Sequence, residues 1–202
     1  MMSASPSFRV GMVLPLCATV LACSPGIQAA ATPPAAAASE PVSPAPADSS
    51  RVVADSFSWL QVDSGGRTAS LDLLVTRKPG APSALINGYR TGEARITIPV
   101  GWTVKWNWRS TDSTAPHSLV VMVQREKIPL EGGRPFFSNA MTRMVTEGLR
   151  PGQIDQSTFE AEEAGWYWMM CGVPGHGLAG EWLELRVDPE SKTARVELKK
   201  KP

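Results

Sequence analysis

Cys171, His176 and His117 are the side chains of this 202-residue sequence whose types and spacing point first to metal chemistry. Cys171 and His176 lie in one Gly/Pro-rich stretch, Cys171-Gly-Val-Pro-Gly-His-Gly-Leu-Ala-Gly-Glu181. His117 lies upstream in Ala115-Pro-His-Ser-Leu119, and the chain has only two histidines, so both belong to this set. One thiolate and two imidazoles are the donors of a trigonal copper site, because a soft thiolate suits Cu(I) and imidazole accepts either valence. Such sites usually add a weak axial methionine; here the corresponding position carries Glu181. Zinc takes the same donors in tetrahedral geometry, so the donor set alone does not separate the two metals. The competing reading is two unrelated imidazoles and a buried free thiol that packs as a small hydrophobe.

Local sequence explains how the donors are presented. His176 returns after a four-residue turn containing Pro174 and Gly175, which folds the loop back onto Cys171. Pro116 biases Ala115 towards extended backbone and removes one amide donor beside His117. Glu181 has three readings. Its carboxylate binds the metal; or it turns to solvent and the metal keeps three protein ligands, with or without a water; or a methionine from elsewhere is axial. Met169, Met170, Met141 and Met144 are the candidates for the last reading, and strand alternation weighs against Met170. A bound carboxylate, as a hard anion, favours Cu(II), so it should lower the reduction potential and move the colour from blue towards green or red.

The elements that must hold these donors are strands. Ser56–Val62 and Ala69–Thr76 show alternation or β-branched runs around Gly65-Gly66, and Ala84–Tyr89 follows the break at Lys78–Pro82. In Ala94–Val100, Ile96, Ile98 and Val100 alternate with Thr97 and Pro99; in Trp102–Trp108, Trp102, Val104, Trp106 and Trp108 share one face. Period-two spacing predicts half-buried strands. Leu119–Val123 reads as a core strand, and Ser157–Ala161, Trp166–Met170, Trp182–Val187 and Ala194–Leu198 complete the set. Between them Asn139–Thr146 suggests one or two helical turns. Short strands punctuated by Gly and Pro, without an amphipathic helix, make an all-β sandwich or barrel. The seven tryptophans are expected to pack the core and sheet faces.

The N-terminal quarter sets an address. Val10–Ala22 is an apolar run too short to span a membrane and reads as the core of a signal peptide over residues 1–22. It ends in Val20-Leu-Ala-Cys23, a lipobox-like pattern that makes Cys23 a lipidation candidate; plain cleavage near Gln28–Ala30 is the alternative. Either reading predicts export to the periplasm or cell envelope, where an unpaired Cys171 requires an explanation such as metal ligation. Residues 23–50, rich in Ala, Pro and Ser, predict a disordered linker, and the folded domain is expected over 51–202. Removal of residues 1–22 takes away Arg9 and leaves 19 basic residues against 19 acidic ones, so no net field argues for a nucleic-acid partner. The tail Lys199–Lys201 reads as a solvated terminus.

Six pieces in order, Asn87–Tyr89, Ile98–Trp102, Ala115–Leu119, Leu149–Gly152, Gly165–Trp168 and Cys171–His176, resemble the sulfocyanin and rusticyanin branch of the cupredoxins, sulfocyanin most closely. The resemblance covers roughly Leu85 to Val187, with Glu181 departing from the family's axial methionine. It implies a Greek-key β-sandwich holding one type 1 copper ion through His117, Cys171 and His176. It also implies a hydrogen bond from the Ser118 amide to the thiolate. The implied activity is single-electron transfer with redox partners such as a cytochrome or an oxidase, through His176 and a small apolar patch of Pro174, Leu178 and Ala179. Two other readings accompany it. An open copper position next to Glu181 would let the site bind or transform a small molecule, although the chain has no spare histidines for a coupled site. Copper storage or delivery would usually show exposed Met-rich or His-rich segments, which are absent from the linker.

Overall fold

Period-two patterning becomes two facing sheets. The computed structural model describes residues 51–53, by backbone only, and residues 57–200. The expected leader 1–22, Cys23 and the linker 23–50 lie outside the described residues, as does Lys201. The strands are β1 (Arg51–Val53), β2 (Leu60–Asp63), β3 (Thr68–Thr76), β4 (Leu85–Ile86), β5 (Ala94–Pro99), β6 (Thr103–Ser110), β7 (Val120–Val123), β8 (Ile154–Glu160), β9 (Gly165–Met170), β10 (Trp182–Asp188) and β11 (Arg195–Lys199). The first sheet runs β1-β11-β5-β10-β9-β7, and the second runs β2-β3-β6-β8 with β4 beside β3. Strands β5 and β10 are parallel, as are β3 and β6; the other pairs are antiparallel. From β5 to β9 the chain alternates between the sheets, which is the crossing pattern of a Greek-key sandwich.

The core lies between the sheets. On β6, Val104, Trp106 and Trp108 are buried and Lys105, Asn107 and Arg109 are exposed, as alternation predicts. Across the parallel ladder Leu71 and Leu73 of β3 pair with Trp106 and Trp108. Ile96, Ile98, Tyr167, Met169, Leu183 and Leu185 join the same core from the first sheet. Each fully buried aliphatic side chain contributes about 1.5–3 kcal/mol relative to exposure, so this face fixes the strand register. Asn87 and Gly88, both at positive φ, close the tight turn between Ile86 and Tyr89.

Three expectations change. Strand β5 is buried on both faces, because it lies between β11 and β10 and its outward Arg95 and Thr97 are covered. Arg95 donates to Glu184 (2.9 Å) and lies over the Trp166 ring (4.4 Å), while Thr97 donates to Glu197 (3.0 Å). The helical turns at Asn139–Thr146 do not form, and the described residues contain no helix. Asn139 and Met144 have positive φ, and the segment's backbone bonds run to β7 and its approach, with Val121 N–H donating to Ala140 O and Thr142 N–H to Leu119 O. Strand β8 begins at Ile154, three residues earlier than the apolar pattern suggests, because its ladder with β6 continues to Arg109.

The outer face of the first sheet carries a second cluster. Val120, Trp168 and Met170 are buried there against Met122, Ile128, Val145 and Trp182, so the loop between β7 and β8 covers this face. That loop also forms one wall of the candidate site.

Candidate metal centre

Cys171 immediately follows β9 and Glu181 immediately precedes β10, so the ligand-bearing loop joins two neighbouring antiparallel strands. Its ends are tied by Cys171 N–H to Glu181 O (3.0 Å), and Glu181 N–H donates to His176 O (3.0 Å). Gly175 N–H donates to Leu130 O (2.7 Å), pinning the tip against the β7–β8 loop. His117 enters between β6 and β7 and exchanges two backbone bonds with Leu149 (3.1 and 2.7 Å). Gly148 beside it has φ +75°, and a Cβ there would lie 2.9 Å from His117 N and 2.8 Å from Val173 Cγ2, so both the conformation and the close approach require glycine.

The four donor groups predicted from sequence converge. Ligand atoms of His117, Cys171, His176 and Glu181 all lie within 4.8 Å of one another. Nδ1 of His117 is 2.8 Å from Glu181 Oε1, Nδ1 of His176 is 3.3 Å from Glu181 Oε2, and Cys171 Sγ is 3.5 Å from His176 Nδ1. His117, Cys171 and Glu181 are buried, whereas the His176 side chain keeps 23% of its exposure. The solvent-facing reading of Glu181 is therefore overturned: its carboxylate is buried and directed at both imidazoles. Among the methionine candidates, Met141 and Met144 are exposed, Met169 packs in the main core and Met170 in the outer cluster.

The surrounding atoms match the chemistry of a thiolate ligand. Ser118 N–H donates to Cys171 Sγ at 3.4 Å, as the family resemblance implied. Ser118 Oγ donates to Val145 O (2.6 Å) and accepts from Gly172 N–H (2.9 Å), locking the β7–β8 loop to the ligand loop. Pro174, Leu178 and Ala179 are exposed around His176. Leu130, also exposed, is held next to Gly175 and was missed by sequence reasoning, because nothing local links it to the loop forty residues away. Gly175 faces open space, but Gly177 is buried: a Cβ there would lie 2.7 Å from Met170 Cε. Of the two glycines flanking His176, only Gly175 borders open space.

Asp112 is the other residue that sequence reasoning missed. Its Oδ2 is 2.8 Å from His117 Nε2, and both side chains are almost fully buried. The run Ser110-Thr-Asp-Ser-Thr114 carries a signal for a structured turn, since Asp112 Oδ1 accepts from Thr114 two residues on, but no signal for His117.

Without a metal, the electrostatics are those of buried charges leaning on one another. Burial opposes ionisation of Glu181, but the hydrogen bonds and charges of His117 and His176 outweigh it and hold the carboxyl below its ordinary range. Burial likewise opposes a charged His117, yet Glu181 and then Asp112 raise its pKa above the ordinary 6.5. Asp112 is lowered to about 2: burial works against this, and the bonds from Thr114 and His117 prevail. Burial, then the Glu181 charge, push the Cys171 thiol well up, with the Ser118 amide working the other way. A bound dication reverses the thiol's position, because a coordinating thiol is deprotonated outright. Thiolate, two imidazoles and a carboxylate converging on one buried point fit a single transition-metal ion.

A two-sheet β-sandwich with this donor cluster at the end of adjacent strands is a cupredoxin. Residues 56–195 match the family model described as the sulfocyanin (SoxE) domain, and the chain belongs to that family. A curated sulfocyanin of Sulfolobus acidocaldarius is 27% identical over 129 residues, covering 60% of this chain and 64% of that protein. The chain thus spans less than two thirds of the length of that relative. Among solved structures, reduced rusticyanin is similar at 19% identity over 61% of this chain and 85% of its own, with a TM-score of 0.44. Reduced auracyanin from Roseiflexus castenholzii is similar at 21% identity over 58% of this chain and 97% of its own, with a TM-score of 0.41. Cupredoxins bind one copper ion, and family membership favours copper over zinc for this donor set.

Proposed function

We propose that this protein carries single electrons between redox partners at one copper ion held by His117, Cys171, His176 and Glu181. Convergence of the four donor atoms to within 4.8 Å, three of them on buried residues, carries this reading. Bound copper supplies a Cu(II)/Cu(I) couple; the protein supplies a ligand set that need not rearrange. Cys171 and Glu181 are tied by the backbone at the mouths of two paired strands, and His117 is tied to Leu149, so three of the four ligands are fixed by strand-level hydrogen bonds. The Ser118 amide stabilises charge on the sulfur and tunes the couple.

His176 is the exit. It is the partly exposed member of the set, and exposed Pro174, Leu178 and Ala179 beside it in the loop, with Leu130 held against Gly175, form a small apolar rim suited to a weak, short-lived contact. The partner would be another redox protein, such as a cytochrome or an oxidase. Glu181 acts as the carboxylate ligand in place of methionine, which lowers the potential relative to a methionine-ligated relative. Export and a lipid anchor at Cys23 complete the reading, supported by the apolar run ending in Val20-Leu-Ala-Cys23 and by the lone Cys171.

The test is a pH titration of the optical and EPR spectra of copper-loaded protein beside the Glu181→Met variant. A spectrum that is non-blue at neutral pH and turns blue in acid or in the variant is expected. A blue spectrum insensitive to both would remove Glu181 from the metal, and absence of any thiolate-to-copper band would remove copper from the site.

A further inference from the structure

Both ring nitrogens of His117 face a carboxylate, and only one of those carboxylates belongs to the proposed ligand set. Nδ1 points at Glu181 and the donor cluster, whereas Nε2 points away from it to Asp112 Oδ2 at 2.8 Å. We propose that Asp112 is a positioning residue of the copper centre: it fixes the tautomer and ring orientation of His117 and, by its charge, holds the couple at a lower potential than a neutral partner would. This rests on the copper reading above.

The geometry supplies each step. With the Nδ1 lone pair committed to a metal in the donor cluster, the proton of a neutral His117 would sit on Nε2, where the Asp112 carboxylate, which only accepts hydrogen bonds, holds it. Asp112 is itself held. Its Oδ1 accepts from Thr114 N–H (2.8 Å) and Thr114 Oγ1 (2.6 Å), which leaves Oδ2 for the imidazole, and its own N–H donates to Ser110 Oγ (3.1 Å) at the end of β6. Among the described residues, His117 is the one cationic or potentially cationic group paired with Asp112 in an ion pair, although Arg77 and Lys78 line the surface depression above it.

The consequence for the metal follows from burial. With side-chain exposures of 1% and 2%, the His117–Asp112 pair is shielded from water, so the carboxylate charge is weakly screened. An anionic acceptor on Nε2–H raises the donor strength of Nδ1, as carboxylate–histidine–metal triads do elsewhere. Greater donor strength and a nearby negative charge both favour the more highly charged copper state. Asp112 and Glu181 thus act in the same direction from opposite edges of one imidazole. Sequence around His117 gives no indication of this, since the local turn chemistry of Asp112 involves Thr114 and nothing local links it to the imidazole.

The experiment compares the copper-loaded protein with Asp112→Asn, Asp112→Ala and Thr114→Val, by redox titration, Cu(II) EPR and imidazole N–H NMR of the reduced, diamagnetic form. Asp112→Asn keeps the shape and removes the charge; about a tenfold loss of Cu(II) affinity relative to Cu(I) is expected, which for one electron is a potential rise of about 59 mV. Asp112→Ala should shift at least as far and lose the slowly exchanging Nε2–H signal. Thr114→Val, at an exposed position that tolerates change, loosens Asp112 and should give a smaller rise of the same sign. Potentials and EPR parameters unchanged in all three variants, with only thermal stability lowered, would overturn the proposal and leave Asp112 a structural residue. Absence of a thiolate-to-copper band in the unsubstituted protein would overturn the copper reading and this one together, so the two failures are distinct.

Discussion

His117 and His176 carry the same imidazole, with ring centroids 5.0 Å apart, yet the fold gives them opposite situations. His117 is fully buried, has both nitrogens committed to carboxylates, and is bridged to Leu149 through its backbone. His176 sits on a loop tip, turned by Gly175 at φ +82° and flanked by exposed Pro174 and Leu178, with its side chain partly in solvent. The difference teaches a division of labour within one ligand set. On the proposed copper reading, the buried histidine would set the electronic character of the metal, and the partly exposed one would connect it to the outside.

The largest expected effect comes from deleting the buried member. His117→Ala should abolish the thiolate-to-copper band and also destabilise the metal-free protein by about 3–5 kcal/mol, because Asp112 and Glu181 are left as buried charges without their shared partner. His176→Ala should lose the same band at far smaller cost in thermal stability; equal losses in calorimetry would erase the distinction. A finer contrast uses added imidazole. The His176→Gly variant should regain its colour on addition of imidazole, since the gap opens to solvent, while His117→Gly should not, since that gap is sealed.

At intermediate strength, Glu181→Gln should raise the reduction potential and sharpen the blue band, because the variant keeps volume but removes the hard anionic donor. An unchanged potential would mean that the carboxylate does not reach the metal. Smaller still, Leu178→Lys should slow electron exchange with a partner while leaving the spectrum alone, and Leu130→Lys should do the same if the rim extends across the loop contact. Stopped-flow kinetics with a redox protein partner would read both; unaltered rates would detach the apolar rim from function.

The weakest expected effect is on the pH profile of the metal-free protein. The His117 pKa is raised above 6.5, so its contribution to stability is fully present below 6.5 and is lost as pH rises through the raised value. Asp112 is lowered from 3.8 to about 2, so its contribution is present above 3.8 and is lost as pH falls towards 2. Melting temperature against pH should therefore show a maximum in the mildly acidic range. His117→Ala should remove the alkaline decline and His176→Ala should leave it in place.

Much of this arrangement is legible along the chain. A Cys and a His five residues apart in a Gly/Pro loop can fold back on each other through local turn chemistry alone, and the structure brings both to one point. Alternation in Trp102–Trp108 announces which face is buried because a strand repeats every two residues wherever it lies. Other features have no local signature. Thr97 and Arg95 read as an outward, wet face of β5, and they are buried only because β10 and β11 flank that strand and Glu184, Glu197 and Trp166 cover it. The segment 139–146 has helix-compatible residues, but hydrogen bonds to Leu119 and Val121 draw its backbone away.

The sequence by itself determined the donor types, their spacing and the strand periodicity that places Cys171 and Glu181 at the ends of paired strands. Each of these depends on covalent connectivity and on the two-residue repeat of extended backbone, which act over a few residues. Tertiary structure alone decided that Glu181 turns inward, that Asp112 meets the far edge of His117, and that Leu130 is held against Gly175, next to the partly exposed histidine. These are contacts between segments that chain sequence separates and folding closes, and their energy exists only once burial removes water from between them.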